Sequence, residues 1–273
     1  MDEKKAQELK ETAKKIRAGI LKALGASKSG HPGGSLSLVE IMTVLYFHVM
    51  KIDPQKPDWP ERDRFVLSKG HGAPVLYAAL AARGFFPMED IMSLRRLGSK
   101  FQGHPDMNKT PGVDMSTGSL GQGISAANGM ALGLRLNGST ARVFVVLGDG
   151  ECEEGQVWEA AMTAAHYRLD NLTAFLDYNH LQIDGKIEDV KSLTDLAGRF
   201  RAFGWHVIEV DGHDIPALAF AAGQAQTVKG KPSLLVCHTV KGKGVSFMEG
   251  QVGWHGTAPK PEEVEKALGE IFA

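Results

Sequence analysis

The residues best suited to chemistry stand at the ends of two apolar runs. The run Val143–Leu147 leads into Gly148-Asp149-Gly150 and on to Glu154-Gly155. About thirty residues later a second run, Leu172–Leu176, ends in Asp177-Tyr178-Asn179-His180-Leu181. If the runs are adjacent strands, Asp149 offers a carboxylate oxygen, Asn179 a side-chain carbonyl and Leu181 a backbone carbonyl to one place. All three are hard donors suited to Mg²⁺ or Ca²⁺, and an octahedral ion held by three protein oxygens has room for a diphosphate and a water. The glycines let the backbone approach an anion closely. A helix starting near Gly155 is expected to turn free N–H groups to the same region. A Gly-Asp-Gly alone is more often a plain turn; the second strand end at this distance supports the metal–diphosphate reading.

Four of the ten histidines lie in glycine-rich loops rather than apolar stripes. They are His31 in SGHPGG, His71 in SKGHG, His104 in GHP and His255 in WHG. Each alone reads as an ordinary loop or core histidine. Together they form a set able to hydrogen-bond hydroxyls, bind phosphate or move protons inside a cleft.

These residues need a scaffold that gathers strand ends. Short apolar runs recur at Phe65–Leu67, Val143–Leu147, Leu172–Leu176, Val207–Val210 and Leu234–Cys237, with helical patterns between most of them. That alternation predicts an α/β fold: a doubly wound, mostly parallel sheet with helices on both faces. In such sheets ligands collect at the carboxyl ends of the strands. Leu9, Ala13, Ile16, Ile20 and Leu24 share one helical face, with Gly25 as the expected stop, and a second apolar helix is expected near Leu38–Met50. Residues 1–273 read as one domain, wrapped by residues 1–60 and by the tail after Lys260.

Composition narrows the classes. Lys+Arg number 31 against Asp+Glu 32, a formal net charge of -1, which provides no electrostatic reason for a nucleic-acid or anionic-membrane partner. The charged N-terminus lacks the apolar core of a signal peptide, and no run reaches the ~20 apolar residues of a membrane span. Cys152 and Cys237 are too few for a disulfide framework. The expected setting is cytoplasmic.

The paired strand-end motif resembles the signature of thiamine-diphosphate enzymes, with Tyr178-Asn179 in place of a frequent pair of asparagines. SGHPGG, LSKGHGAPVLYA, GHPD, STGSLGQGISAANG and WHGTAP occur in the order found in transketolases, from about Ala18 to Pro259. The resemblance implies a thiamine-diphosphate-binding fold with Asp149, Asn179 and Leu181 holding Mg²⁺, for which Ca²⁺ or Mn²⁺ can substitute. It implies that His71, Gly150, Lys241 and His255 contact the cofactor, mainly its diphosphate end. Gly118, Ser119 and Leu120 would line its ring side. His31, His104 and His255 would serve catalysis at the sugar hydroxyls, His104 near the donor's first hydroxyl. Lys69 is an even choice between added positive charge and a solvated loop lysine. Lys241 is preferred to Lys243 because it directly follows a strand, and Asp211-Gly212-His213-Asp214 is expected to be structural.

The implied activity is transfer of a two-carbon ketol unit from a ketose phosphate to an aldose phosphate, as in pentose phosphate metabolism. In the family a glutamate beside the aminopyrimidine ring activates the cofactor, and it belongs to a pyrimidine-binding domain not found in this sequence. The expectation is therefore an N-terminal subunit of a split transketolase, active with a C-terminal partner subunit in an α2β2-type assembly, with Glu154 at the subunit contact. Three alternatives are a 1-deoxyxylulose-5-phosphate synthase-like enzyme, the α-type subunit of a 2-oxoacid dehydrogenase, and a noncatalytic Mg-diphosphate-binding regulatory module. The synthase is usually one long chain, the dehydrogenase subunit generally lacks the SGHPGG and WHG histidines, and the module is disfavoured by the intact donor set.

Overall fold

The five apolar runs form five parallel strands: β1 (Arg64–Leu67), β2 (Val143–Gly148), β3 (Leu172–Tyr178), β4 (His206–Asp211) and β5 (Ser233–His238), in the order β1-β2-β3-β5-β4. The computed structural model describes residues 1–273. Central strands covered on both faces need apolar side chains at every position, so β2 is buried throughout. Alternate residues then serve two cores. Phe144, Val146, Phe175 and Leu235 join one, whereas Val145, Leu147, Leu176 and Val236 join the other.

The handedness of parallel crossovers decides which helix covers which face. The β2-to-β3 connection carries α6 (Gly155–His166), which packs with α5 (Gln122–Leu136) on the second core; the β3-to-β4 connection carries the short α7 (Ile187–Lys191) and α8 (Leu196–Ala202), the latter on the same core. The β4-to-β5 connection runs back across the sheet, so its helix α9 (Ile215–Thr227) lies on the first core. The helix α1 (Glu3–Ser27) joins α9 there, together with α4 (Ala73–Arg83) and α10 (Pro261–Phe272).

Gly25 is not the stop of α1: the helix continues to Ser27 and ends at Lys28 in the left-handed region, φ 54°. The glycine serves packing, because a Cβ there would lie 2.7 Å from Cγ2 of Val264 on α10. The second helix expected near Leu38–Met50 is α3 (Val39–Val44) continued by a π-helical turn, Leu45–Val49, and it is preceded by a short helix, α2 (Gly33–Leu36). No helix is long and apolar enough to cross a membrane.

Candidate active site

Register brings the strand-end residues together. Gly148 of β2 lies opposite Asp177 of β3, which lies opposite Cys237 of β5. Asp149, Asn179 and Lys241, each just past its strand, therefore emerge along one edge. With Leu181, Lys69, His71, His255 and Gly150 they line one small cleft. Gly34 lies against it because a Cβ there would be 3.2 Å from the Lys69 ammonium.

The floor of the cleft is a buried charged network. The Asp177 carboxylate is fully buried and accepts hydrogen bonds from Lys69 Nζ at 2.5 Å, Ser37 Oγ at 2.7 Å, Asn179 Nδ2 at 3.2 Å and Thr239 Oγ1. Burial alone would raise the Asp177 carboxyl. The Lys69 ammonium and the converging hydrogen bonds outweigh it and hold the group below the usual range. Lys69 is only 2% exposed, so it is a cleft residue and not a solvated loop lysine. Lys243, by contrast, pairs with Glu249 at 3.3 Å and is partly exposed.

Above this floor Asp149 accepts from the backbone N–H of Gly150 at 2.8 Å and of His180 at 2.6 Å. Burial and then the neighbouring Asp177 push its carboxyl up to about 7. A carboxylate so disfavoured as an anion gains most from a cation placed against it. Asn179 Oδ1 accepts only from Leu181 N–H, at 3.2 Å, which leaves it a free lone pair, and the Leu181 carbonyl accepts from Lys241 Nζ at 3.2 Å. One carboxylate, one amide oxygen and one carbonyl fit a hard divalent ion that completes its shell with phosphate oxygens and water. No group of three or more His, Cys, Asp or Glu side chains is arranged to hold a metal, so a site made only of such side chains is not the design.

His31, His71 and His255 form a triangle, with ring centroids 5.5, 5.5 and 5.4 Å apart. Burial first, then the neighbouring cations, lowers them to about 4, 2 and 3 respectively. All three are neutral at neutral pH. Lys241 Nζ lies 2.8 Å from His255 Nδ1. An ammonium can only donate, so Nδ1 accepts and the ring proton of His255 sits on Nε2. Burial, then Lys69, lowers Lys241 to about 8. His31 Nδ1 is buried without a hydrogen-bond partner. These rings can accept or donate a hydrogen bond without bringing further positive charge.

The other expected residues lie outside the cleft. His104 is exposed and stands beside Gly118, whose φ is 153° and whose added Cβ would meet His104 Cδ2 at 3.2 Å. Ser119 is exposed and Leu120 half-buried. Their loop is tied to the cleft by Glu151, whose buried carboxylate accepts from Ser68 Oγ at 2.5 Å, Gly121 N–H at 2.9 Å and Gly148 N–H at 2.9 Å. A 3₁₀ turn, Gly150–Glu153, lies between Asp149 and the start of α6, so that Gly150 and Glu151 line the cleft where Gly155 does not, and Glu154 packs beside Gly121. His213 is structural, bridging Glu40 at 2.9 Å and the backbone N–H of Val240 at 2.8 Å.

A family model described as transketolase, thiamine diphosphate binding domain, matches residues 8–271. The chain belongs to that family. Among relatives, it is 49% identical to the 6-deoxy-6-sulfo-D-fructose transketolase subunit SqwG of Clostridium sp. (strain MSTE9), covering 97% of this chain and 96% of that protein. It is 41% identical to an apulose-4-phosphate transketolase subunit of Phocaeicola vulgatus, covering 95% and 92%. A crystal structure of a Pichia Stipitis transketolase mutant superposes with a TM-score of 0.92 at 36% identity, over 96% of this chain but 40% of that one. The chain thus spans nearly all of the two subunit relatives and less than half of the solved transketolase.

Three residues of this transketolase domain escaped the sequence reading as site residues. Asp177 and Glu151 sit inside the quoted motifs, but their roles depend on partners more than 80 residues away in sequence, Lys69 and Ser68. Gln182 lines the cleft with no motif of its own.

Proposed function

We propose that this chain is the N-terminal, diphosphate-holding subunit of a two-subunit transketolase. The observation that carries the reading is the convergence of Asp149, Asn179, the Leu181 carbonyl, Lys241, His71 and His255 on one cleft at the carboxyl ends of β2, β3 and β5. Asp149, Asn179 and Leu181 hold Mg²⁺, with Ca²⁺ or Mn²⁺ as substitutes. Lys241, His71, His255 and the Gly150 backbone receive the diphosphate, and Gly118, Ser119 and Leu120 flank the rings. Bound thiamine diphosphate supplies the nucleophilic carbon that breaks and remakes the sugar's carbon–carbon bond.

His31, His104 and His255 act on the substrate. Held neutral, His31 and His255 exchange hydrogen bonds and protons with sugar hydroxyls, and the Nε2 proton of His255 is the one it can donate. His104, outside the dry cluster, meets the sugar from the side of the Gly118 loop. The partner subunit brings the pyrimidine-binding domain and its activating glutamate, in an α2β2-type assembly in the cytoplasm, with the exposed Glu154 at the contact. The substrates are sugar phosphates. The two relatives named as subunits, matched almost end to end, support this division of labour.

Titration of the purified chain tests the reading of the cleft. Thiamine diphosphate is expected to bind with Mg²⁺ and to be released by a chelator, whereas thiamine without its diphosphate binds at least ~100-fold more weakly. Equal binding of both, or binding indifferent to the metal, contradicts it.

A further inference from the structure

Lys241 places a buried cation in the cleft, and none of its hydrogen-bond partners is an anion. It is 2% exposed. Its ammonium donates to the carbonyls of Leu181 at 3.2 Å and Gln182 at 3.5 Å, and to His255 Nδ1 at 2.8 Å. The four-carbon stem of a lysine is flexible, so the position of the charge depends on how firmly its backbone is held.

A buried chain of charges outside the cleft holds that backbone from both sides. The Glu40 carboxylate on α3 accepts from Arg17 Nη2 on α1 at 2.5 Å and from His213 Nδ1 at 2.9 Å. Burial would raise the Glu40 carboxyl, but His213 and Arg17 outweigh it and hold the group below the usual range. On one side of Lys241 the Val240 N–H donates to His213 Nε2 at 2.8 Å. On the other side Arg17 Nε donates to the Lys243 carbonyl at 2.9 Å. Gly244, with φ 87°, lets the chain pass the guanidinium, since a Cβ there would lie 2.5 Å from Arg17 Nε.

These contacts fix the tautomer of His213. A backbone N–H can only donate, so Nε2 accepts and the ring proton sits on Nδ1, directed at Glu40. The carboxylate orients the ring and the guanidinium together, and each of them grips the chain within two residues of Lys241. None of the three lines the cleft. A buried ion pair adds little net stability, because desolvation offsets the attraction, and its use is then the geometry it fixes.

We propose that Glu40, through His213 and Arg17, positions the Lys241 ammonium to receive the diphosphate. All three are positioning residues. This inference rests on the reading above that Lys241 is a diphosphate contact, and it adds the device that aims it.

The test titrates thiamine diphosphate with Mg²⁺ into the purified chain, followed by tryptophan fluorescence, with two amides replacing His213. H213N keeps a donor for Glu40 but is too short to accept from Val240. H213Q reaches the place of Nε2 and can accept. H213N is expected to weaken binding about fivefold to tenfold, as loss of one hydrogen bond allows, and H213Q to stay within about threefold of the wild type. Hydrogen exchange of residues 239–244 is expected to quicken in H213N alone. K241M by itself is expected to weaken binding by about tenfold or more. H213N K241M is then expected within about twofold of K241M, because no ammonium remains to be positioned. R17K keeps a charge for Glu40 but loses the Nε donor to Lys243, and it is expected to repeat the cycle from the other side. Wild-type affinity in both H213N and R17K, equal losses in H213N and H213Q, or losses fully additive with K241M overturn the positioning role while cofactor binding by the wild type stands. Unchanged affinity in K241M, or no binding by the wild type, overturns the underlying reading and this one with it.

Discussion

The Lys69 ammonium lies 2.5 Å from the Asp177 carboxylate, and both are buried beneath the cleft that gathers Asp149, Asn179 and Lys241. The pair holds the floor of the site in a single charge state, and its value lies in the cost of breaking it. Removing one partner strands the other charge. K69M is expected to destabilise the chain by ~3–5 kcal/mol, and D177N K69M by less than the sum of the single changes. Urea unfolding of the two single variants and the double variant checks this; strict additivity would show that the pair is not coupled.

Glu151 makes the corresponding prediction for the Gly118–Gly121 loop. Its carboxylate is the shared acceptor for Ser68, Gly121 and Gly148, and E151A leaves buried donors unpaired. Each such donor costs about 1–3 kcal/mol. E151A is expected to lose more than ~3 kcal/mol by chemical denaturation, and E151Q less, because one amide oxygen still accepts. Equal losses would mean that the carboxylate's geometry does not matter.

Asp149 is buried and disfavoured as an anion until a cation meets it. D149N keeps the shape and removes the charge. Mg²⁺-supported binding of thiamine diphosphate is expected to weaken by at least ~100-fold, the upper end of what even supporting residues of a metal site contribute. Quenching of tryptophan fluorescence during titration reads this out, and unchanged affinity would remove Asp149 from the metal.

The histidine triangle predicts a pH dependence whose sign is fixed. His31, His71 and His255 are lowered in the fold to about 4, 2 and 3 from an ordinary 6.5. Between those values and 6.5 the unfolded chain binds protons that the folded chain refuses, so stability falls as pH drops below about 6.5 and is flat above it. Asp149, raised to about 7, works in the opposite direction and partly masks the slope when no metal is added. H71N removes one histidine from the balance. Its thermal midpoint is expected to fall less steeply than the wild type's between pH 6.5 and 4. Identical slopes would contradict a buried neutral His71.

Much of this was readable in the residues, for physical reasons. Strands buried on both faces leave continuous apolar runs, so β2, β3 and β5 were visible, and with them the place where Asp149, Asn179 and Lys241 emerge. What could not be read depends on distant partners. Gly25 looks like a helix stop until Val264 of α10 packs against it. Lys69 reads equally as added positive charge or as a solvated loop lysine until Asp177 is found beneath it. The 3₁₀ turn at Gly150–Glu153 puts Gly150 and Glu151, rather than Gly155, in the cleft lining, and no local pattern announces it. Register decided the cleft, and side-chain pairing across strands decided its charges.

Ketol transfer measured with each polypeptide separately and with both together tests the central claim most directly. With xylulose 5-phosphate, ribose 5-phosphate, thiamine diphosphate and Mg²⁺, turnover is expected only when this chain is mixed with its partner subunit, and H255A in this chain is expected to depress it. Turnover by this chain without the partner would contradict the divided site, and undiminished turnover by H255A would remove His255 from it.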